Sequence, residues 1–430
     1  MTREEALLPE PSPSTAIPSG NALTRASGAE SRPNMLRALG VLGILLYFSQ
    51  AYLYFFNTGS IPVKPVHWYL LTLALAPLAL ALDRNAASCI ARGRPLMIWA
   101  AATTFVLAVS YVISEPGRLV DDDPLQTFIR KEEMVLLLAV FGIIYQSAAT
   151  LKLATTVLIP VTLAGTAINI SEFASGGAIF SSVAGRAAGL YEDSNLSGSM
   201  LVAGMLLTSL RLPMALRIPY CLIVGVGVLV TFSRSAMLLW TAALLGMMAF
   251  GWLTRRRKIA LVAALIGLAG ASQSLMTGGW IAAVEMSGAG DLLNANTRAR
   301  IGASFFDQHD FSKSEREEVA LRAFEDWRDA PIMGNGLGSS DQYSMRPHNQ
   351  YLEVASDMGF VGLALFPFAL LFLLWRSGTA VGVLLGVHLF VSNFFTHNNL
   401  EFPAVQVAIA IALSSSWKEL PPFNGAERPA

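Results

Sequence analysis

Two arginines lie beside or between apolar runs of the sequence. Arg234 separates two such runs in the segment FSRSAML (residues 232–238), and Arg186 lies in the segment GRAAGLYEDSNLSG (185–198). A guanidinium group suits phosphate, because its planar fork gives bidentate, charge-assisted hydrogen bonds. The structural alternatives are an interfacial arginine that snorkels to the headgroups for Arg234, and a solvated loop arginine paired with Glu192 or Asp193 for Arg186. The phosphate interpretation predicts an anionic, lipid-borne ligand.

His348 is a candidate general base. It lies in RPHNQYLE (346–353), before a stretch in which Asn349, Glu353 and Asp357 share one helical face. A neutral imidazole at or just before the start of that helix can accept a proton from a sugar hydroxyl. The alternative is a capping or surface histidine.

His397 is a second candidate base, because it lies in FFTHNNLE (394–401), near the predicted outer surface. The sequence leaves open whether His348 or His397 is the base. We expect His388 to be a buried structural residue inside a span.

The elements that must position these residues are membrane spans. Of the 430 residues, 53% are hydrophobic and 14% are charged, whereas soluble domains carry about 25% charged residues. The apolar runs have the length that crosses a bilayer as a helix of about 20 residues. The sequence therefore predicts an all-α polytopic membrane protein with about twelve transmembrane helices. The predicted spans are 35–56, 66–82, 95–114, 133–149, 152–170, 196–211, 214–232, 235–253, 258–275, 357–375, 378–397 and 400–417.

The predicted organisation has five parts. They are a disordered cytoplasmic tail (1–33), spans one to nine (34–275), one large extracytoplasmic loop (276–356), spans ten to twelve (357–417) and a cytoplasmic tail (418–430). Basic residues follow the even-numbered spans, which predicts that both termini are cytoplasmic; they are Arg84, Arg92, Arg94, Arg211, Arg217, Arg255, Arg256, Arg257, Lys258 and Arg376. The loop after span three is acidic instead, with Glu115, Asp121, Asp122, Asp123, Glu132 and Glu133. The formal net charge is zero, so we expect no nucleic acid as a partner. The predicted spans make membrane lipids the expected partners.

The large loop contains signals for an amphipathic helix. Ser314 and Glu317 have the spacing of a capping box, and the helix is expected to run to about Arg328, with Asp329-Ala330-Pro331 ending it. Such a helix rests on the membrane or roofs a cavity. The glycines of GNGLG (334–338) then predict a flexible turn rather than a phosphate loop.

The two cysteines give no sign of a disulfide or a metal site. Cys89 falls in a predicted cytoplasmic loop and Cys221 falls inside a predicted span. We therefore expect them to remain unpaired.

Together these motifs resemble the O-antigen ligase and polymerase superfamily of bacterial membrane glycosyltransferases, over roughly residues 40–415. The similarity is carried by four segments, through Arg186, Gly189 and Asn195; Ser233 and Arg234; Arg316, Pro331, Gly334 and Gly336; and HNQYLEVASDMGFVGL (348–363) with Gly359 and Gly362. Two features depart from the family pattern. Asp357-Met358 stands where many members have a glutamate before the glycine, and the loop carries a charged insert, DQHDFSKSERE (307–317).

The resemblance implies a metal-independent, inverting transfer of a glycan from undecaprenyl diphosphate to a sugar hydroxyl, without a cofactor. The acceptor would be lipid A–core or another lipid-linked repeat, in lipopolysaccharide or surface polysaccharide biosynthesis. His348, Arg234 and Arg186 would be catalytic. The implied substrate-binding residues are Arg316, Asn349, Asn195, Tyr351 and His397. The site would face the periplasm from the bacterial inner membrane.

Several alternatives remain open at this point. The sequence does not separate a ligase from a polymerase or from an enzyme that glycosylates protein. A secondary transporter or a lipid-linked glycan flippase would share the span count, with ionisable residues near the bilayer midplane and interrupted helices. A scaffold subunit would not require Arg234 and His348 to lie together.

Overall fold

A computed structural model describes residues 34–114, 123–175, 179–181, 186–259, 261–262, 311–342, 346–396 and 398–420. These residues form helices and no strand, which confirms the all-α class. The α-helices are α1 (Met35–Leu42), α2 (Ala51–Asn57), α3 (Pro65–Leu82), α4 (Ala86–Ile113), α5 (Pro124–Ile144), α6 (Ala148–Ala174), α7 (Ser194–Ser209), α8 (Met214–Leu229), α9 (Arg234–Ala249), α10 (Phe311–Asp329), α11 (Gln350–Leu363), α12 (Leu370–Arg376), α13 (Ala380–Ser392) and α14 (Pro403–Ala412).

Fewer helices than expected are long and apolar enough to cross a membrane. Four described segments qualify, namely Pro65–Leu82, Ala86–Ile113, Ala148–Ala174 and Gln350–Arg376. A fifth is counted if Met35–Phe48 and Ala51–Asn57, which meet at 49°, form one span. Four more apolar helices are shorter: α8, α9, α13 and α14. The count of about twelve spans is therefore not confirmed, and predicted span 258–275 falls mostly outside the described residues.

The helices divide into a peripheral and a central group. Helices such as α4 keep large apolar side chains exposed, among them Ile98, Phe105 and Val112, as expected where lipid covers the surface. In contrast, α7 and α14 are buried over nearly every residue. Polar side chains of these two central helices, such as Ser194 in α7 and Gln406 in α14, therefore lie inside the protein.

Helix α5 begins earlier than its apolar run. The Asp123 side chain accepts a hydrogen bond from the backbone N–H of Leu125 and caps the helix, and Pro124 occupies its first turn. The assignment of Glu132 and Glu133 to an acidic loop was therefore wrong, because both lie within α5. Two separate helices occupy the region of predicted spans four and five, but they part at residues 145–147 rather than near residue 150, since α5 ends at Ile144 and α6 starts at Ala148.

The cysteines lie in two different helices. Cys221 lies in α8, as expected, whereas Cys89 lies buried in α4 rather than in a loop. That placement was wrong because α4 starts at Ala86, well before the apolar run that marked the span. Both cysteines are free, which confirms that they do not pair.

The amphipathic helix of the large loop is present as α10. It starts at Phe311, about one turn before the expected capping residue, and it ends at Asp329 as expected. Val319 and Ala323 are buried, whereas Leu321 and Phe324 are exposed. The helix thus packs on the protein through one face and keeps apolar side chains on its free face.

The GNGLG turn packs against α11, since the N–H groups of Asn335 and Gly336 donate to the carbonyls of Ser356 and Asp357 at 2.8 and 3.1 Å, and its flexibility stays a prediction. Helix α11 is broken at Gly359, whose φ is +63°, and the N–H groups of Phe360 and Val361 donate to carbonyls of the preceding loop, at Pro331 and Ile332. A β-carbon at Gly359 would lie 2.4 Å from backbone atoms of Ile332. Glycine is therefore needed where the loop backbone fills the break in the helix.

Candidate functional site

The turn that carries Arg234 joins α8 to α9. Arg234 is the first residue of α9 and is half-buried, directly after the capping residue Ser233. The Ser233 hydroxyl oxygen accepts a hydrogen bond from the N–H of Ala236 at 3.3 Å. Phe232 has a φ of +49°, which makes the turn tight. A guanidinium at the positive end of a helix is a setting that favours an anion.

Arg186 packs against this same turn. Its Nε donates to the Thr231 carbonyl at 3.0 Å, and its Nη2 donates to Oδ1 of Asn195 at 3.1 Å. The backbone N–H of Ala187 donates to the Val230 carbonyl at 3.1 Å. The Arg186 side chain is only 7% exposed. The structure thus brings Arg186 and Asn195 together with the turn before Arg234, which lies about 45 residues further along the chain.

The segment around Arg186 is held by a residue that the sequence analysis missed, Glu172. This carboxylate on α6 is 0% exposed. Its Oε1 accepts hydrogen bonds from the N–H groups of Phe180 and Ser181 at 2.9 and 2.7 Å. Its Oε2 accepts from the N–H groups of Ala188 and Gly189 at 2.7 and 2.8 Å. A single acidic residue at the end of an apolar run was the only sequence signal.

The far side of the segment is hydrogen-bonded to the first, bent pair of helices. The Tyr191 hydroxyl donates to the Phe48 carbonyl at 2.6 Å, and Asn57 Nδ2 donates to both carboxylate oxygens of Glu192 at 2.9 Å. Burial raises the pKa of Tyr191 above its usual value, so this hydroxyl is a neutral donor. Residues 186–193 are therefore anchored on both sides.

His348 lies at the start of α11, as the sequence predicted. It is half-buried and precedes Asn349, whose Oδ1 accepts hydrogen bonds from the N–H groups of Tyr351 and Leu352 at 3.0 and 3.3 Å. Asn349 is thus the N-cap of α11. These capping hydrogen bonds fix the backbone that directly follows His348.

Tyr351 points into an aromatic cluster. Its ring lies 5.6 Å from Phe368 and 4.7 Å from Phe394, measured between centroids, and its hydroxyl donates to the Phe390 carbonyl at 2.9 Å. These contacts join α11 to the C-terminal part of α13. They give Tyr351 a packing role, and its role in binding substrate stays a prediction.

A buried cluster of charges lies beside the start of α11. Lys131 Nζ is 3.0 Å from Glu353 Oε1 and 2.5 Å from Glu401 Oε1. The three side chains are 1%, 2% and 12% exposed, respectively. Arg346 Nη1 lies 3.9 Å from Glu401 Oε2, and Gln350 Nε2 donates to Glu353 Oε2 at 3.2 Å. Both sides of His348 are therefore connected to the same cluster.

Helix packing sets which ends of the helices lie together. Gly198, in the first turns of α7, lies against Ala236, in the first turn of α9. Ser199 Oγ lies 2.9 Å from Nε2 of His388, in the last turns of α13. His388 is buried and structural, as expected. The starts of α7 and α9 therefore lie at the same level as the end of α13.

The start of α11 lies at that end as well. The N–H of Gln350 donates to the carbonyl of Asn393, which follows α13, at 2.8 Å. Arg186, Arg234 and His348 thus lie at one end of the helix bundle. Two predicted site residues cannot be placed there, because His397 and the side chain of Arg316 lie outside the described residues.

Residues 219–367 match the family model described as O-antigen ligase. This stretch contains Arg234, Arg316, His348, Asn349 and Tyr351, and it does not reach the Arg186 segment. A search of curated proteins found no relative that matches the chain. The family match supports a function like that of O-antigen ligases and polymerases, in a protein with several apolar helices, and it confirms the predicted resemblance to the O-antigen ligase superfamily.

Proposed function

We propose that this chain transfers a glycan from undecaprenyl diphosphate to a sugar hydroxyl at the periplasmic face of the inner membrane. The observation that carries the proposal is the fixed contact between the Arg186 side chain and the turn that presents Arg234. This turn and His348 both lie within the residues that match the O-antigen ligase family. The proposed orientation is supported by the basic residues after the even-numbered predicted spans.

The proposed role of the arginines is electrostatic. A glycosyl phosphate bond breaks more easily when positive charge is already in place for the diphosphate that leaves. Arg186 is oriented by Thr231 and Asn195, and Arg234 lies at the positive end of α9. Arg186 is held by these two contacts and does not have to reorganise as charge develops, which is the condition under which such contacts contribute most. The proposal assigns charge neutralisation to these side chains rather than to a metal ion.

The proposed role of His348 is to activate the acceptor. Its neutral imidazole takes the proton of the acceptor hydroxyl while that oxygen attacks the anomeric carbon. The bond between this carbon and the phosphate oxygen breaks, and the undecaprenyl diphosphate leaves with the bonding electrons. One displacement of this kind inverts the anomeric configuration.

The acceptor distinguishes two versions of the proposal. Lipid A–core as acceptor makes the protein a ligase, whereas another lipid-linked repeat makes it a polymerase. Deletion of the protein separates them by the surface polysaccharide that remains. Uncapped lipid A–core with intact polymer indicates a ligase, and single repeats on the core indicate a polymerase.

The residue assignments are tested with purified variants and a lipid-linked glycan donor. Arg234→Ala should lower the transfer rate by about 10²–10³-fold, as for the loss of a preorganised charge contact. His348→Ala should abolish transfer, and both variants should insert normally. Arg376→Ala, at an exposed arginine that ends α12, is the matched control and should transfer normally. Normal turnover by His348→Ala would remove this histidine from the mechanism.

A transporter or flippase is the second candidate, because α11 is interrupted at Gly359 and ionisable residues are buried next to it. Interrupted helices with buried charges are a feature of transporter sites. Here, however, Lys131, Glu353 and Glu401 bind each other, and Glu353 lies in the first turn of α11, near one end of the bundle. Unchanged surface glycans together with failed uptake of a solute, after deletion, would favour the transporter.

A further inference from the structure

We propose that Glu172 is a positioning residue for Arg186 in the transfer reaction, a role that rests on the proposed function. In the part of the chain that the structure describes, the Glu172 side chain forms no hydrogen bond or ion pair with Arg186, Arg234 or His348. It binds the backbone on both sides of Arg186 instead, through Phe180 and Ser181 before it and Ala188 and Gly189 after it. The two carboxylate oxygens thus bind the chain before and after Arg186, and we call this set of four hydrogen bonds the clamp.

The stability of α6 does not explain a carboxylate at this position. Glu172 lies in the last turn of α6 (Ala148–Ala174), where the negative end of the helix disfavours an acidic side chain. Burial of a carboxylate adds a further cost unless hydrogen bonds compensate for the lost hydration. Four N–H donors within 2.7–2.9 Å provide that compensation. A buried acceptor with this many backbone donors specifies one conformation of the segment that it binds.

The consequence for Arg186 follows from the short distance along the chain. Ala188 is two residues from Arg186, and Ala187 binds the Val230 carbonyl beside the Arg234 turn. Gly189 provides the last N–H donor of the clamp. Its φ is +53°, and a β-carbon there would lie 2.4 Å from Oδ1 of Asn169. The backbone of Arg186 is therefore held at the spacing that lets its side chain reach Thr231 and Asn195.

Glu172→Gln is the sharpest test, because it keeps the shape and removes one of the two accepting oxygens. The new NH₂ group faces two backbone N–H groups and cannot accept hydrogen bonds from them. One of the two pairs of hydrogen bonds in the clamp is therefore lost. We expect the rate constant for transfer to fall by about 10–100-fold, the range for a catalytic group displaced by about 1 Å. The KM for the acceptor should not change. Ser171→Ala, at the exposed neighbour on α6, is the control and should behave like the wild type.

A double-mutant cycle separates positioning from general damage. If Glu172 acts through Arg186, Glu172→Gln should have almost no further effect in an Arg186→Ala protein. The same loss in both backgrounds would overturn the inference, and so would full activity of Glu172→Gln. If Glu172→Gln does not fold, Glu172→Asp keeps the charge with a shorter reach, and the same non-additivity is expected in its cycle.

Hydrogen exchange provides a readout that does not depend on activity. In Glu172→Gln one pair of amides, either Phe180 and Ser181 or Ala188 and Gly189, should exchange faster, while the amides of α9 keep their protection. Unchanged exchange at all four amides would show that the clamp does not hold the segment. A wild-type protein that transfers no glycan would refute the proposed function instead, and in that case exchange would still report on the clamp.

Discussion

Replacement of Lys131 by methionine is the most demanding test of the interior at the start of α11. One ammonium group is shared between Glu353 at 3.0 Å and Glu401 at 2.5 Å, and all three side chains are almost fully buried. Methionine fills a similar volume without the charge. It leaves two carboxylates facing each other, and Arg346 reaches only one of them, at 3.9 Å. Loss of one partner from a buried ion pair costs about 3–5 kcal/mol of folding free energy. Because Lys131→Met removes the shared cation from two carboxylates, we expect a loss toward the upper end of that range.

The measurement is unfolding of the purified protein in one detergent, with the free energy of unfolding compared between variants. Lys152→Met removes an exposed lysine from α6 and is the matched control, expected to change stability by about 0.5 kcal/mol or less. Adding Glu353→Gln to Lys131→Met should recover part of the loss, because the carboxylate that Arg346 does not reach is then replaced by a neutral amide. A loss below about 1 kcal/mol, the level of an exposed ion pair, would show that water solvates these charges and would refute the buried cluster.

Three smaller predictions concern α11. Gly359→Ala should lower the melting temperature, because a residue with a β-carbon at this positive φ costs about 1–3 kcal/mol and its methyl group would lie 2.4 Å from backbone atoms of Ile332. Gly386→Ala is the control, since its methyl group would meet its nearest neighbour at 3.5 Å, and it should leave the melting temperature unchanged. Equal melting temperatures of the two variants would contradict the close packing at Gly359. Asn349→Ala should cost about 0.5–2 kcal/mol of stability through the lost cap, and Asn349→Ser should retain most of it; transfer lost in both variants at normal stability would indicate a binding role. Tyr351→Phe should keep full transfer activity if the ring only packs, and a raised KM for either substrate would show that its hydroxyl binds substrate.

The sequence predicted the helices well where an apolar run defines them, and less well where polar residues extend them. Helix α5 illustrates the difference, because its first turns contain Arg130, Lys131 and two glutamates, and a hydropathy criterion excludes them. Hydropathy reports the depth of a residue in the bilayer, whereas a capping residue such as Asp123 sets where the helix starts. The same reason explains why Cys89 was assigned to a loop although it lies in α4.

The motif residues could be predicted to lie at one end of the bundle, but not the contacts that hold them. Arg186, Arg234 and His348 stand out because charged or titratable groups beside apolar runs are rare. Lys131, Glu353 and Glu401 come from three separate parts of the chain, and no spacing in the sequence relates them. A contact such as that between Arg186 and the Thr231 carbonyl involves a backbone acceptor, which every residue has.

The two groups that the sequence analysis missed have a common physical role. Glu172 binds the backbone on both sides of Arg186, and Lys131 bridges the carboxylates beside His348. Each is a buried ionisable group with several hydrogen-bond partners, and such groups favour one arrangement of the segments that they bind. A site that stabilises a leaving diphosphate needs this rigidity, because a charge that must first reorganise contributes far less than one already in place. For that reason we expect the proposed reaction to depend on Glu172 and Lys131 as well as on the motif residues, although neither of them has to touch the substrate.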